Sequence, residues 1–176
     1  MELNELKIVP QFAAETVCCF TGNRPHKLPW GRNENSIEFR KVKADLEATI
    51  RRLSDEGYSL FVCGAALGGD TYFAEAVIEI KKSREVFLEC AVPFPAQAEN
   101  WSEEDRKRYS FIIDKSDFVT VISPHYTSDC MMKRNRYMVD KSSVIVTLDY
   151  CAGGGTAATV AYAKKRGLRI IPLRRK

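Results

Sequence analysis

The sequence predicts a doubly wound α/β domain in which a mostly parallel sheet of about six strands is covered by helices on both faces. Two observations carry this prediction. Short apolar, β-branched runs alternate with helical stretches along the whole chain, and glycine-bearing turns join several of them. Strands that are buried on both faces are largely apolar, as residues 17–20 and 144–146 are. The predicted fold is Rossmann-like.

The predicted elements follow one another without a linker. Strands are expected at residues 17–20, 58–63, 86–92, 118–122, 143–148 and 169–173. Helices are expected at residues 36–56, 69–82, 96–115, 130–141 and 154–166. Ser36 caps the first helix and Gly57 ends it. The third helix is expected to break near Trp101, where Ser102 and Asp105 offer a new cap.

The composition is typical of one globular domain. The 176 residues are 45% hydrophobic and 28% charged, which excludes a disordered chain. Residues 1–15 are expected to form an N-terminal extension, and residues 16–176 a single domain. The net charge of +4 is too small to indicate a nucleic-acid-binding protein. No apolar stretch approaches the roughly 18 residues of a membrane span.

Six cysteines show neither a C-x-x-C motif nor the spacing of metal ligands. Most of them lie inside or just after apolar, strand-like runs, where cysteine behaves as a small hydrophobic residue. We therefore expect reduced, structural thiols, no bound metal and a cytoplasmic protein.

Three glycine-bearing turns predict the binding site. They are the T-G-N-R turn that begins at Thr21, the G-A-A-L-G-G-D turn that begins at Gly64 and the G-G-G-T turn that begins at Gly153. In a parallel sheet all strand-to-helix turns lie on one edge, so these turns can face one cleft. Glycine lets backbone N–H groups approach a ligand, and a helix N-terminus favours negative charge. The turns therefore predict a site for a phosphate-bearing ligand.

The candidate ligand-binding residues are Thr21, Gly22, Arg24, Gly64, Gly68, Gly69, Asp70, Arg134, Asn135, Gly153, Gly154, Gly155, Thr156 and Thr159. Arg24 can grip a phosphate bidentately, and Arg134 is a candidate second clamp. The turn at residues 153–155 offers backbone donors, to which Thr156 adds a hydroxyl. Asp70 either caps a helix or accepts a ribose hydroxyl, and these roles are compatible.

Other signals leave alternatives open. Trp101 fits either a stacking partner for a nucleobase or a partly buried core residue, and His125 is the histidine best placed to act as a base.

Two standard nucleotide-binding motifs, G-x-x-x-x-G-K-[ST] and G-x-G-x-x-G, are absent from the sequence. Their absence excludes a P-loop nucleoside triphosphatase and disfavours an ordinary NAD-dependent dehydrogenase.

Five motifs occur in a distinctive order. They are Thr21-Gly22-Asn23-Arg24-Pro25-His26, G-x-x-x-G-G-D, Pro93-Phe94 with Gln97 and Trp101, Arg134-Asn135 with Met138-Val139-Asp140, and Gly153-Gly154-Gly155-Thr156. Together they resemble the YpsA-like branch of the SLOG superfamily of Rossmann-like proteins, from Val17 onward. The resemblance implies a nucleotide ligand (AMP, ADP-ribose or NAD-like), no required cofactor, a role in nucleotide sensing or stress signalling, and relatives that form homo-oligomers.

The same superfamily contains the Lonely Guy phosphoribohydrolases, which release a base from a nucleoside monophosphate. Their catalytic glutamate lies three residues after the motif threonine, where this chain has Thr159. Threonine supplies no carboxylate, and Glu75 is the candidate substitute. The leading interpretation is therefore a nucleotide-binding, sensor-like protein. The alternatives are a phosphoribohydrolase-like enzyme and an interaction module without a ligand.

A further relative, the DNA-processing protein of natural transformation, binds single-stranded DNA. Such binding uses a basic face with interleaved aromatic residues. The sequence shows no such face, so nucleic acid is not an expected partner.

Overall fold

Six parallel strands form one sheet in the computed structural model, which describes residues 10–173. The strands are β1 (Val17–Gly22), β2 (Leu60–Cys63), β3 (Phe87–Val92), β4 (Phe118–Val121), β5 (Val144–Leu148) and β6 (Arg169–Pro172). Their order across the sheet is β4-β3-β2-β1-β5-β6. The predicted Rossmann-like α/β fold is confirmed.

Five helices cover the two faces of this sheet. They are α1 (Ile37–Asp55), α2 (Gly69–Ile80), α3 (Glu103–Lys115), α4 (Cys130–Asp140) and α5 (Gly154–Lys165). Helices α1, α2 and α3 pack together on one face, and α4 and α5 pack on the other. Strand β1 is buried on both faces, because Cys18 and Phe20 contact the first helix layer while Val17 and Cys19 contact the second. This two-sided burial explains why β1 is apolar from Val17 to Phe20.

The sheet grows in two directions from β1. Strands β2, β3 and β4 are added on one side, and α4 then returns the chain to the other side of β1, where β5 pairs with it. The connections that leave β1 and β5 therefore diverge to opposite faces. Such a reversal opens a crevice at the carboxyl ends of the two strands, where open α/β sheets bind ligands. Thr21 and Thr147 are paired at this end of the sheet.

One predicted helix is shorter in the structure. Helix α3 begins at Glu103, and Ser102 caps it by accepting a hydrogen bond from the Asp105 N–H, as predicted. The predicted break near Trp101 is confirmed, but the prediction of helix over residues 96–100 was wrong. There the bonds run from Gln97 N to Phe94 O and from Glu99 N to Ala96 O. Isolated bonds to the third preceding residue close separate turns, whereas an α-helix bonds every residue to the fourth preceding one.

Several sequence expectations concern the ends and the surface. Residues 1–9 of the predicted N-terminal extension lie outside the described residues. Within residues 10–173, no helix combines the length and the apolarity that crossing a membrane requires.

All six cysteines are free thiols, and Cys151 is the one that is partly exposed. Burial raises the pKa of Cys19 to about 12, so this thiol stays protonated at neutral pH.

Candidate functional site

A cavity of about 170 Å³ opens at the carboxyl ends of β1 and β5. We call it the cationic cleft. It is lined by Thr21, Gly22, Asn23, Arg24, Lys27, Ala66, Asp70, Met131, Arg134, Asn135, Met138, Gly155 and Thr156. Residues from the turns after β1 and β2 and from helices α4 and α5 therefore meet in one place, at the point where the sheet reverses direction.

The cleft brings many of the sequence-predicted residues together. Those that line it are Thr21, Gly22, Arg24, Asp70, Arg134, Asn135, Gly155 and Thr156. The other candidates are Gly64, Gly68, Gly69, Gly153, Gly154 and Thr159, and none of them is among the lining residues. That any of these residues contacts a ligand remains a prediction.

Four of the predicted glycines have packing roles. A Cβ at Gly69 would lie 2.9 Å from the Gly22 Cα, so this pair lets α2 approach β1 closely. A Cβ at Gly68 would lie 2.6 Å from the Asn23 carbonyl oxygen. A Cβ at Gly64 would lie 1.8 Å from Arg134 Nη1, so Gly64 makes room for that side chain. Close packing accounts for these four glycines without a ligand.

The glycines at residues 153–155 are open instead. A Cβ at Gly153 or Gly155 would meet no described atom within 4 Å, and one at Gly154 would meet the terminal Nζ of Lys27. Gly153 and Gly154 also have φ values of +132° and +86°, which favour glycine. Gly153 precedes α5 and donates its N–H to the Cys151 carbonyl oxygen, whereas Gly154 and Gly155 begin the helix, where the first N–H groups lack partners inside it. This turn can therefore present backbone donors to an anion.

Arg134 is a buried cation that helix α4 directs into the sheet edge, with a relative exposure of 5%. Its Nη1 donates to the Gly64 carbonyl oxygen at 2.6 Å, and its Nε donates to Asn135 Oδ1 at 2.8 Å. Burial lowers the pKa of Arg134, and the nearby Asp70 carboxylate opposes this shift. The ordinary pKa of arginine is so high that the side chain remains charged.

Asn135 and Thr159 link helix α4 to helix α5. Asn135 Nδ2 donates to Thr159 Oγ1 at 2.8 Å, and Thr159 Oγ1 donates to the Gly155 carbonyl oxygen at 2.8 Å. Together with the Arg134 bond to Asn135, these contacts form a chain from the buried cation to the open glycine turn. Thr159 therefore acts here as a positioning residue, and its hydroxyl is occupied.

Asp70 is the carboxylate of the cleft. Its Oδ2 accepts from the Ala66 N–H at 3.3 Å, and its buried Oδ1 has no hydrogen-bond partner among residues 10–173. Burial raises the pKa of Asp70, and Arg134 and Arg24 oppose this shift. Across the described part of the chain, no three His, Cys, Asp or Glu side chains cluster as metal ligands would, so Asp70 has no such companions.

The charges of the cleft are unbalanced. Arg24, Lys27 and Arg134 line it, and none of them forms a salt bridge with a carboxylate of the described residues. Asp70 is the single acidic residue in the lining. Unpaired cations beside a helix N-terminus attract an anion, and an arginine fork suits a phosphate.

The sequence analysis did not single out Lys27, and it included Asn23 in the T-G-N-R turn without assigning it a contact. Asn23 Nδ2 contacts Asp149 Oδ1 at 3.2 Å and Thr156 Oγ1 at 3.3 Å, and its Oδ1 accepts from the Tyr150 N–H. This network ties the turn after β1 to the loop after β5. A spacing signal existed for Lys27, because it lies three residues after Arg24, and a 3-10 turn at Pro25–Lys27 places such positions on one side.

Three other side chains lie elsewhere. Trp101 packs edge-on against Tyr109, with ring centroids 5.4 Å apart, and does not line the cleft. His125 is exposed in the loop after β4. Glu75 accepts from Arg108 Nε at 2.6 Å and from Nη2 at 2.7 Å. Glu75 therefore supplies no carboxylate to the cleft.

The raised pKa of Asp70 predicts a pH-dependent affinity for anions. As the pH falls through that pKa, the carboxyl becomes neutral and the cleft loses its negative charge. We expect the affinity for sulfate, which stays a dianion, to rise by about threefold to tenfold between pH 7.5 and a pH below the raised pKa of Asp70. Isothermal titration calorimetry on the wild type and on Asp70→Asn measures this. The variant should bind sulfate tightly at both values, and an equal pH dependence in both proteins would rule out Asp70 as its source.

Comparison with known proteins identifies relatives over most of the chain. A model of the YspA SLOG family (YpsA) matches residues 18–167. A UPF0398 protein from Halalkalibacterium halodurans is 31% identical over 155 residues, which cover 85% of this chain and 81% of the relative. A UPF0398 protein from Bacillus cereus is 28% identical over 155 residues, which cover 86% of this chain and 84% of the relative.

A solved structure supports the same assignment at the level of the fold. The X-ray structure of DNA processing protein A from Streptococcus pneumoniae matches with a TM-score of 0.60 and 15% sequence identity. The match covers 90% of this chain and half (50%) of the other. At this identity the likeness shows the fold alone. The family match over residues 18–167 confirms the resemblance inferred from the motifs: the chain belongs to the YspA SLOG family.

Proposed function

We propose that this chain binds a nucleotide or nucleotide derivative and places its phosphates in the cationic cleft. The observation that carries the proposal is the combination of three cations that form no salt bridge within residues 10–173 and an open glycine turn at the start of α5. Backbone donors of Gly154 and Gly155 would bind one side of a phosphate, and the guanidinium of Arg24 the other. Asp70 Oδ1, which lacks a partner among residues 10–173, would accept a hydroxyl of the ligand.

Binding fits the cleft better than glycosidic hydrolysis does. A phosphoribohydrolase needs a carboxylate at the bond that breaks. The Thr159 hydroxyl is engaged by Asn135 and Gly155, and Glu75 is engaged by Arg108. Asp70 is the one carboxylate in the lining of the cleft, and the proposed site uses it to accept a hydroxyl of the ligand. Release of free adenine from AMP would show that the hydrolase is the correct function.

Gly155 gives a clean test of the proposed phosphate site. A side chain there meets no described atom within 4 Å, and its φ is not in the left-handed region. Gly155→Asp puts a carboxylate beside the expected phosphate, whereas Gly155→Asn adds the same volume without charge. Asp is favourable in the first turn of a helix, so the unliganded variant should remain folded.

The measurement is thermal unfolding with AMP, ADP, ADP-ribose, NAD and single-stranded DNA. A ligand at about 100 times its Kd adds about 2.7 kcal/mol of stability, which raises the Tm by about 5–10 °C for a chain of this size. We expect this shift with a nucleotide in the wild type and in Gly155→Asn, and its loss in Gly155→Asp. No shift with any nucleotide, or an equal shift in both variants, would refute the phosphate site. A shift with DNA alone would indicate a nucleic-acid-binding protein instead.

A further inference from the structure

A second cavity, of about 350 Å³, is also lined by the turn that follows β2: Ala65 and Leu67 line it, whereas Ala66 lines the cationic cleft. Its lining includes Leu67 and three aromatic side chains, of which Tyr72 and Tyr109 are buried and Trp101 is partly exposed. We call it the aromatic pocket. Trp101 is half-buried, so part of its indole ring remains accessible from this side. Aromatic walls of this kind suit a flat, apolar ring.

The charges around the aromatic pocket are paired, in contrast to those of the cationic cleft. Arg32 Nη1 binds Asp105 Oδ1 at 2.9 Å. Arg108 binds Glu34 Oε1 at 2.5 Å and Glu75 Oε1 at 2.6 Å. No arginine in the lining is therefore free to hold a phosphate, and three carboxylates line the pocket.

One of these three carboxylates is not paired with an arginine of the lining. Glu104 lines the exposed rim and forms no salt bridge with any residue in the described range 10–173. Carboxylates accept hydrogen bonds and repel anions. The pocket therefore favours a neutral ring that donates N–H groups and disfavours the phosphates that the cleft attracts.

A continuous surface joins the two cavities. Arg24 lines the cationic cleft and also a shallow groove that it shares with Pro25, Arg32 and Leu67. These last three residues also line the aromatic pocket. One ligand can therefore extend from the cleft past Arg24 into the aromatic pocket.

We propose that the aromatic pocket binds the base of the nucleotide, and that this base carries an exocyclic amino group. The inference rests on the proposed function, because the base is placed relative to phosphates in the cationic cleft. It adds a second subsite and a preference: amino-bearing bases, which donate N–H groups to the carboxylates, over bases that present a carbonyl oxygen in the same position.

Leu67→Trp tests the pocket without touching the cleft. The larger side chain fills the pocket at its junction with the groove, and Leu67 does not line the cleft. Phe111→Trp is the matched control, because it enlarges an exposed ring on α3 that lines neither cavity. Affinities for pyrophosphate, ADP and inosine diphosphate are measured by calorimetry on the wild type, on both tryptophan variants and on Gly155→Asp.

We expect Leu67→Trp to weaken ADP binding by about tenfold or more, the size of a lost stacking contact, and to leave pyrophosphate binding unchanged. Phe111→Trp should bind all three probes as the wild type does, whereas Gly155→Asp should weaken all three. Equal ADP affinity in the wild type and Leu67→Trp would overturn the base site while leaving the phosphate site standing.

The wild type alone gives an independent result if Leu67→Trp does not fold. It should bind ADP more tightly than inosine diphosphate, which has the same phosphates, and more tightly than pyrophosphate. Equal affinities for all three probes would show that no base site exists. Failure of pyrophosphate and of both nucleotides to bind would refute the phosphate site and the base site together.

Discussion

The Gly64→Ala variant is expected to lose about 3–5 kcal/mol of unfolding free energy, with a fall in Tm of about 6–20 °C. The added methyl carbon would lie 1.8 Å from Arg134 Nη1, so the guanidinium must leave its place. It would then lose its bonds to the Gly64 carbonyl oxygen and to Asn135. A buried cation without partners is among the costliest defects in a protein interior.

A double-mutant cycle isolates this cause. The three atoms nearest to the added methyl all belong to Arg134, so Gly64→Ala should cost less than about 1 kcal/mol in an Arg134→Ala background. Urea unfolding of the wild type, the two single variants and the double variant gives the coupling energy. If the two costs simply add, Gly64 is required for some reason other than the space for Arg134.

A second large effect is expected from Lys141→Met. Glu89 on β3 is fully buried and accepts hydrogen bonds from Tyr137 Oη at 2.6 Å, Thr120 Oγ1 at 2.9 Å and Lys141 Nζ at 2.5 Å. The lysine supplies the charge that balances the carboxylate. Without it a buried anion keeps only two neutral donors, and we expect a loss of about 3–5 kcal/mol.

Lys133→Met is the matched control, because it removes a lysine of α4, the helix that ends just before Lys141, and this lysine pairs with Asp129 at an exposed position. That change should cost less than about 1 kcal/mol. The double variant Glu89→Met/Lys141→Met should regain much of the lost stability, since replacing both members of a buried pair with apolar residues is often neutral. Thermal unfolding distinguishes these outcomes. A Tm for Lys141→Met equal to that of Lys133→Met would mean that Glu89 does not depend on the lysine.

The order and type of the elements could be predicted from the sequence because they depend on local patterns. Apolar strands, the Ser102 cap and the glycine-ended helices are read within a few residues of the chain. The strand order could not be predicted in this way. It depends on where α4 returns the chain after β4, and that choice is fixed by packing between residues far apart in sequence.

In the candidate site too, local patterns could be predicted from the sequence, whereas contacts between distant residues could not. Gly64 and Gly155 are alike in the sequence, yet one is filled by Arg134 and the other is open to solvent. The difference lies in a partner 70 residues away, which no turn motif reveals. The contacts of Asn23 could not be predicted for a similar reason, because its side-chain partners Asp149 and Thr156 lie more than 120 residues further along the chain.

The contacts of Asn23 have a consequence for the kinetics of binding. Its side chain bonds to Asp149, to Thr156 and to the backbone of Tyr150, and its carbonyl oxygen accepts from the Gly69 N–H. Segments that form three sides of the cleft are thus held together before any ligand arrives. Such preorganisation lowers the entropic cost of association, because few groups have to be ordered on binding. Related ligands should therefore enter at similar rates and differ mainly in how long they stay.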